Sequence, residues 1–323
     1  MFGVRDMDAL IGHTGFVGGH LAAQHDFDGL FHSRNVDRLG ENSFDTTVCA
    51  AAPGSMLTAN RDPEADAARI EALCTALSCL RTRRFVLISS IAVLARFDGQ
   101  DDEETDRFQT ALAYGRNRRR LEVFCADRFD DCLILRLPAL FGTGLRKNFL
   151  FDLMNPVPTM LTAARLEELR AVLEPDLAAA LARLYAVDAT SGMAVLDRAA
   201  LARDPDRAAV ETAVTKTGFA AIGFHNPDTT FQFYDMTRLW SDIGLATEAG
   251  LDLLHLATEP LRAGDIHLRL TGREMPDTGA RLHHEDMHTR HAALRGRTGP
   301  YLSSAGAVMD RLASFHARET ARS

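Results

Sequence analysis

Three glycines spaced three residues apart, Gly12, Gly15 and Gly18, follow directly on the apolar segment 9–11. The apolar segment is typical of a buried strand, and the residues from about Val17 predict a helix. In this arrangement the first glycine permits a tight turn, the second lets the backbone approach a pyrophosphate, and the third lets the helix pack closely on the strand. The amides at the start of the helix then face the anion. The segment therefore predicts a dinucleotide site.

A serine, a tyrosine and an arginine further along the chain are suited to act together on a hydroxyl group. Ser90 ends an apolar segment, and Tyr114 and Arg118 lie four residues apart in a predicted helix, so they share one helix face. A tyrosine hydroxyl, with an ordinary pKa of about 10, needs a nearby positive charge to act as a base near neutral pH. Arg118 offers that charge, and Ser90 offers a second hydroxyl to the same substrate oxygen.

These segments resemble the extended short-chain dehydrogenases/reductases, the NAD-dependent epimerase/dehydratase family that modifies nucleotide-linked sugars. The resemblance covers residues 8–150 and rests on the glycine spacing, on the strand that ends at Ser90, on the Tyr114-x-x-x-Arg118 pattern and on segment 135–144. It implies catalytic roles for Ser90, Tyr114 and Arg118. The cofactor contacts that it implies are Gly12, Thr14, Gly15, Phe16, Val17, Gly18, Ser33, Arg34, Ala50, Ala51, Ala52, Tyr114, Arg118 and Pro138.

Two residues depart from the family's pattern. Arg118 stands where the family has lysine, and Leu94 stands where it has tyrosine after Val93. The family's lysine holds the nicotinamide ribose, whereas an arginine guanidinium is planar and wider. Either the guanidinium grips the ribose and Tyr114 still transfers a proton, or the three residues only bind the cofactor.

The residues after the second predicted strand, 29–32, favour NADP over NAD. An acidic residue at this distance from the glycine turn would bind the ribose 2′-hydroxyl of NAD. The chain has Ser33 and Arg34 instead, and an arginine can pair with a 2′-phosphate. A solvated loop arginine is the alternative. The next strand, predicted over 46–53, comes only about thirty residues after the turn, which resembles the family's 4-keto-sugar reductases.

The elements that position these residues predict an α/β fold, a Rossmann-type doubly wound parallel sheet with a smaller, partly helical C-terminal substrate lobe. At 323 residues the chain exceeds what one hydrophobic core usually supports. We expect an NAD(P)-binding domain over residues 1–150 and a substrate lobe over 151–323. Periodic Ala, Leu, Arg and Glu predict a helical insertion at about 160–221.

Other polar groups have open interpretations. Lys147 and Asn148 follow the segment at which the resemblance implies substrate contacts, to a diphosphate or a sugar hydroxyl; a solvated lysine and a turn-stabilising asparagine are the alternative. The carboxylates of 98–108 either supply a general acid or base or form a solvated acidic loop, which is the favoured interpretation. The histidines of 283–291 match no zinc motif, so we expect a polar surface loop without a metal there.

Composition limits the partners and the location. The net charge of −8 argues against nucleic acid or an anionic membrane as the main partner. No apolar run approaches the about 20 residues that span a bilayer, and residues 1–6 lack the apolar core of a signal peptide. A cytoplasmic location is expected. The five cysteines have neither zinc-site nor disulfide spacing, so we expect reduced, mostly buried thiols.

The resemblance implies an NAD(P)-dependent oxidoreductase, epimerase or dehydratase acting on a nucleotide-linked sugar. Hydride would move between the nicotinamide and a sugar carbon while Tyr114 transfers the hydroxyl proton. The family also implies a homodimer formed through two helices of the cofactor domain. The alternative, favoured by Arg118 and Leu94, is a non-catalytic NADP-binding sensor or scaffold of the atypical branch. The sequence does not separate reductase, epimerase and dehydratase.

Overall fold

The computed structural model describes residues 7–189 and 191–322. Residues 1–6, on which the signal-peptide expectation rests, lie outside them. The chain divides into two compact units. The first comprises the residues up to Leu145 with Thr230–Leu261 and His284–Phe315; the second comprises Arg146–Thr229, Arg262–His283 and the residues from His316 onward. Both units are discontinuous in sequence, whereas the predicted domains meet at a single boundary at residue 150.

Strands and helices alternate along the first part of the chain. Up to Leu145 they are β1 (Asp8–Ile11), α1 (Phe16–Ala22), β2 (Gly29–Phe31), β3 (Ser43–Cys49), α2 (Met56–Arg61), α3 (Pro63–Ser78), β4 (Arg81–Ser90), α4 (Ala113–Arg128), β5 (Cys132–Leu137) and β6 (Ala139–Phe141). From there they are α5 (Phe149–Met154), β7 (Met160–Leu161), α6 (Ala163–Ala171), α7 (Pro175–Leu184), β8 (Tyr185–Val187), β9 (Ala194–Leu196), α8 (Arg198–Arg203), α9 (Arg207–Lys216), β10 (Thr230–Phe231), β11 (Phe233–Asp235), α10 (Leu239–Glu248), β12 (Leu253–His255), β13 (Leu261–Arg262), α11 (Ala263–Thr271) and α12 (Ala305–Thr320). None of these described helices is long and apolar enough to cross a membrane.

Six parallel strands form the main sheet of the first unit in the order β2-β1-β3-β4-β5-β12. The chain moves from β1 to β2 on one side and returns to the other side of β1 to form β3. The strand order therefore reverses at β1, and ligands of doubly wound sheets bind outside the carboxyl ends of the strands at such a point. The predicted Rossmann-type parallel sheet is confirmed.

Helices cover both faces of this sheet. Ala9 and Ile11 of β1 pack with residues of α3 and α4, whereas Leu10 packs with residues of α1 and α10. Successive side chains of a strand point to opposite faces. Because both faces are covered, a strand such as β5 is buried along its whole length, and its sequence is largely apolar rather than alternating.

The second unit has its own core and a small sheet. Strands β7, β9 and β8 pair in that order, with antiparallel neighbours. Its buried apolar residues are Val157, Leu161, Leu169, Ala180, Leu181, Leu184, Leu196, Leu201, Val210 and Val214. The segment predicted as a helical insertion at about 160–221 thus contains strands as well as helices. Strands of two or three residues are too short to produce an alternating pattern in the sequence.

The cysteine thiols are free, and three of them are buried. Burial raises the pKa of Cys49 and of Cys132 to about 12, so both remain protonated near neutral pH. Cys74 is partly buried and Cys79 is exposed.

Candidate active site

The glycine turn between β1 and α1 lies against the end of β3. Gly12 has a φ of +91°, which residues with a side chain rarely adopt, and a Cβ there would lie 2.6 Å from the carbonyl oxygen of Ala50. A Cβ on Gly18 would overlap the carbonyl oxygen of Gly12. Gly15 differs, because only the Gly12 carbonyl oxygen lies near its missing Cβ, at 3.4 Å. Gly12 and Gly18 are therefore needed for packing, while Gly15 leaves the backbone accessible.

The other predicted cofactor residues follow neighbouring strands of the same sheet. Thr14, Phe16 and Val17 belong to the glycine turn and the start of α1. Residues 50–52 follow β3, and Pro138 separates β5 from β6. These positions all lie at carboxyl ends of strands in the first unit, as a dinucleotide site requires.

The loop after β2 is ordered by Asn35. The Asn35 Oδ1 accepts a hydrogen bond from the His32 amide at 2.7 Å, and its Nδ2 donates to the Leu30 carbonyl at 3.1 Å. Ser33 and Arg34 lie within this closed loop and are exposed. In the described part of the chain the Arg34 side chain makes no ion pair, so its guanidinium is accessible to a ligand.

Ser90 and Tyr114 lie together at the carboxyl end of β4. The Ser90 hydroxyl lies close enough to the Tyr114 phenol to lower its pKa. The first turn of helix α4 packs tightly against the turn that follows Ser90. A Cβ on Gly115 would collide with the Ala92 carbonyl oxygen. The Tyr114 amide donates to Asn60 Oδ1 of α2 at 2.9 Å, which fixes the first turn of the helix.

Burial raises the pKa of Tyr114 above its ordinary value. The charge of Arg118 and the nearby Ser90 hydroxyl oppose this shift, whereas the nearby carboxylate of Asp66 adds to it. The phenol is therefore neutral near neutral pH. In that state it donates a proton more readily than it accepts one.

The Arg118 guanidinium is buried, with 3% of the residue exposed. Its Nη1 lies 2.5 Å from Asp66 Oδ2, and its Nη2 donates to the Pro53 carbonyl oxygen. The guanidinium also lies over the Tyr114 ring, 4.0 Å from the ring centroid. The buried Nε has no hydrogen-bond partner among the described residues. The two terminal nitrogens of the fork thus contact protein groups, and Nε is the donor left available.

Asp66 is the site residue that the sequence reasoning missed. It is 1% exposed, lies in the first turn of α3, and accepts a second hydrogen bond from Asn117 Nδ2 at 2.8 Å. The sequence indicates that Asp66 is buried, because it precedes Ile70 by one helical turn and so lies on the apolar stripe of α3. A carboxylate on a buried helix face needs a cationic partner, which would have pointed to Arg118.

A buried polar network holds α4 on the sheet. Arg136 of β5 donates to both carboxylate oxygens of Glu122, from Nε at 2.9 Å and from Nη2 at 2.7 Å. Ser89 donates to the same carboxylate at 2.6 Å, and Arg136 Nη1 lies 3.0 Å from His255 Nε2. The register places Ser89, Arg136 and His255 side by side on β4, β5 and β12. The helix that carries Tyr114 is thus anchored across three strands.

The charges of this network are balanced. Burial alone would raise the pKa of Glu122, but the hydrogen bonds and charge of Arg136 and the Ser89 hydrogen bond lower it below its ordinary value. Burial lowers the pKa of His255, and the charge of Arg136 lowers it further while Glu103 opposes the shift. His255 is therefore neutral, and its Nε2 accepts from Arg136.

The acidic loop 98–108 is more than a solvated loop, and the favoured interpretation is wrong for two of its carboxylates. Asp101 is 3% exposed and accepts from Arg107 Nε at 2.9 Å. Glu103 accepts from the His255 amide at 2.8 Å and from Thr289 Oγ1 at 2.6 Å. The Asp101 carboxylate is bound within the loop. Glu103 ties the loop to distant segments, and such distant partners cannot be found from local composition.

The predicted substrate residues Lys147 and Asn148 belong to the second unit. Asn148 has a φ of +103°, a strained conformation for a residue with a side chain, and its Oδ1 accepts from the Phe151 amide at 3.2 Å to cap α5. Burial lowers the pKa of Lys147. Strained backbone is concentrated at functional sites, which is consistent with the prediction for this pair.

Two of the histidines of 283–291 have side-chain partners in the first unit. His284 lies 3.1 Å from Thr230 Oγ1, and His288 contacts Tyr301 and Asp286. Within residues 7–189 and 191–322, no cluster of three or more histidine, cysteine or acidic side chains is arranged to hold a metal ion.

No family model and no curated protein sequence matches the chain. Solved structures of nucleotide-sugar enzymes do match it. UDP-N-acetylglucosamine 4-epimerase from Methanobrevibacter ruminantium M1 aligns with a TM-score of 0.62 and 10% identity, over 98% of this chain and 99% of that chain. dTDP-4-dehydrorhamnose reductase from Bacillus anthracis str. Ames, in complex with NADP, aligns with a TM-score of 0.59 and 12% identity, over 97% and 98% of the two chains.

A third structure, MoeE5 in complex with UDP-glucuronic acid and NAD, aligns with a TM-score of 0.57 and 16% identity, over 97% of this chain and 99% of that chain. The topology and the glycine turn define a Rossmann-type α/β protein. The structural neighbours with this fold include nucleotide-sugar reductases and epimerases. At these identities the likeness concerns the fold.

Proposed function

We propose that this protein is an NAD(P)-dependent enzyme that reduces a keto group of a nucleotide-linked sugar, with Tyr114 as the proton donor. The observation that carries the proposal is the proximity of Ser90 and Tyr114 at the carboxyl end of β4, in a doubly wound sheet that also carries the glycine turn. The structural neighbours, which include dTDP-4-dehydrorhamnose reductases, support the substrate class.

The residues present fit a nicotinamide dinucleotide. Gly15 leaves the backbone clear for a pyrophosphate, and the exposed Arg34 can pair with the 2′-phosphate of NADP. The unpartnered Nε of Arg118 is a buried donor, and such a group costs free energy unless a ligand oxygen satisfies it. A bound nicotinamide would supply the hydride. Arg118 would hold the cofactor ribose through Nε rather than through the guanidinium fork.

The protonation state of Tyr114 favours reduction over oxidation. Reduction of a carbonyl requires a proton on the sugar oxygen, which a neutral phenol can donate. Oxidation would require the phenolate, which burial and Asp66 disfavour by raising the pKa of Tyr114. Among reductase, epimerase and dehydratase, the site therefore fits a reductase best.

We further propose that Lys147 and Asn148 contact the substrate diphosphate or a sugar hydroxyl, because backbone strain at Asn148 places a polar side chain where a relaxed residue would not. We also propose a homodimer formed through α3 and α4. The outer surface of α4 includes Val123, which is 43% exposed.

The second candidate is a non-catalytic NADP-binding sensor or scaffold. The ion pair of Arg118 with Asp66 favours it, because Asp66 shares the charge that would otherwise activate Tyr114. The two candidates differ in turnover: an enzyme reduces the keto sugar, whereas a sensor only binds the dinucleotide. A turnover measurement therefore separates them.

The test is a calorimetric titration with NADPH, NADP, NADH and NAD, followed by turnover of 4-keto nucleotide sugars. We expect selective NADP(H) binding that Arg34→Ala weakens about tenfold or more, and turnover that Tyr114→Phe abolishes. Arg38→Ala is the matched control, because it removes an exposed arginine four residues after Arg34. This variant should bind NADP(H) as the parent does. Binding without turnover would favour the sensor; absence of all dinucleotide binding would overturn both candidates.

A further inference from the structure

A small polar pocket lies in the first unit, apart from the residues assigned to cofactor and proton transfer. The empty space of the pocket, including its open mouth, is about 200 Å³. Within it, about 10 Å³ can hold a water-sized group, which is enough for a single one. Strands β6 and β11, the segment after β12 and helix α12 form it. The polar side chains that face it are Asp235, Arg238, Thr258, Ser303 and Arg311.

The pocket contains a buried hydroxyl without a partner. Thr258 is 3% exposed, and its Oγ1 makes no hydrogen bond among the described residues. Buried polar groups are hydrogen-bonded in nearly all cases, and an exception points to an absent partner. Next to it, Ser303 accepts from Arg238 Nη1 at 3.1 Å, which leaves the Ser303 hydroxyl hydrogen free to donate into the pocket. Two hydroxyl donors therefore converge on the narrow interior.

Positive charge is in excess around these hydroxyls. Burial lowers the pKa of Arg238, and the charges of Arg311 and Arg295 lower it further, so the three cations lie within reach of one another. Arg295 Nε donates to the Asp242 carboxylate at 2.7 Å. The same carboxylate lies 4.0 Å from Arg238 Nε. Arg311 makes no ion pair in the part of the chain that the structure describes.

One carboxylate also faces the pocket. Asp235 Oδ1 accepts from the amide and hydroxyl of Thr237, at 3.0 and 2.7 Å. These bonds occupy that oxygen outside the pocket interior. Two arginines, Arg238 and Arg311, and one carboxylate, Asp235, face the pocket, so its lining retains a net positive charge.

We propose that this pocket binds the phosphoryl group of a small phosphate compound. One phosphate oxygen would enter the narrow interior and accept from Thr258 and Ser303, while Arg238 and Arg311 bind the remaining oxygens at the mouth. A water molecule would satisfy Thr258 but would leave the excess positive charge uncompensated. Arginine is well suited to phosphate because its planar fork matches two phosphate oxygens. The phosphoryl group can belong to free phosphate or to a monoester.

The test uses inorganic phosphate, titrated calorimetrically at constant ionic strength into the full chain without nucleotide. We expect one site whose affinity falls at least tenfold in Arg311→Gln and in Thr258→Val. Arg318→Gln, which removes an exposed arginine later in the same helix, should bind as the parent does. Circular dichroism checks that Thr258→Val folds. If Thr258→Val does not fold, Arg311→Gln remains informative, because it alters a partly exposed residue.

Two further arms identify the source and the site. Methyl phosphate that binds as well as inorganic phosphate indicates a terminal phosphoryl group of a larger molecule, whereas preference for inorganic phosphate indicates the free ion. Arg34→Ala should leave this binding unchanged. The proposal is overturned if phosphate does not bind, if Arg311→Gln binds it as the parent does, or if Arg34→Ala alone abolishes binding, which would assign it to the cofactor site.

Discussion

Arg118 lies over the ring of Tyr114, 4.0 Å from its centroid and one helical turn later in α4. A cation on the face of an aromatic ring is attracted to it and limits its motion. The same guanidinium is paired with Asp66, so the charge that Tyr114 experiences is shared between two partners. The protonation of the phenol is therefore controlled by one residue of its own helix, Arg118, and by one of α3, Asp66.

Removing the negative charge of Asp66 should make Tyr114 more acidic. Because the Asp66 carboxylate raises the pKa of Tyr114, Asp66→Asn should lower it. If reduction requires the neutral phenol, kcat/KM for reduction should begin to fall at a lower pH than in the parent. Glu71→Gln, an exposed position on the same helix, should leave the profile unchanged. A parental profile in Asp66→Asn would contradict the coupling.

The Asp66–Arg118 pair should show strong non-additivity in stability. Arg118→Met alone leaves a buried carboxylate without its counter-ion, which we expect to cost about 3–5 kcal/mol in the free energy of unfolding. The double variant Asp66→Leu/Arg118→Met should recover most of that loss, since no buried charge remains. Urea unfolding measures both. Losses that simply add would show that the pair is not coupled.

Recovery of stability should not restore activity. The double variant lacks the Arg118 charge and the Nε donor, so turnover should stay far below that of the parent. Turnover recovered together with stability would mean that Arg118 has only a structural role.

Two adjacent serines should have different effects. Ser90 contacts Tyr114, whereas Ser89 donates to buried Glu122 at 2.6 Å. Ser90→Ala should lower kcat by about a hundredfold with little change in stability. Ser89→Ala should lower the free energy of unfolding by about 1–3 kcal/mol, since it removes a hydrogen bond to a buried carboxylate, and should leave kcat near the parent's. Equal effects of both variants on kcat would refute this division.

Two adjacent glycines of α1 offer a similar comparison. A Cβ on Gly18 overlaps the Gly12 carbonyl oxygen, whereas a Cβ on Gly19 meets only the His13 carbonyl oxygen, at 3.8 Å. Gly18→Ala should disrupt the turn and abolish dinucleotide binding. Gly19→Ala should bind normally and unfold at a slightly higher temperature, because alanine favours the helix by about 1 kcal/mol over glycine. Thermal unfolding with and without NADPH tests both; normal binding by Gly18→Ala would remove the packing argument.

Local patterns predicted much of the fold. Strand β1, the start of helix α1 and the end of strand β4 at Ser90 lie close to where the sequence predicts them, because burial imposes recognisable patterns of apolar residues. The glycine turn was equally readable, since its function depends on residues that are contiguous in sequence.

The partners of the site residues were less predictable. Asp66 meets Arg118 across 52 positions, and Glu103 meets the His255 amide across 152. Nothing in the local sequence around either residue specifies a contact at such separation. Arg136 lies in segment 135–144, but its pairing with Glu122 depends on how α4 crosses the sheet.

Strand β2 is three residues long and forms one edge of the six-stranded sheet, and the loop that follows it is closed by the hydrogen bonds of Asn35. In the proposed cofactor site, the segment that would distinguish one adenosine ribose from another is thus short, contiguous and at a border of the sheet. Exchange of this one segment in evolution, or by loop grafting, could change nucleotide preference while the register of every other strand is retained.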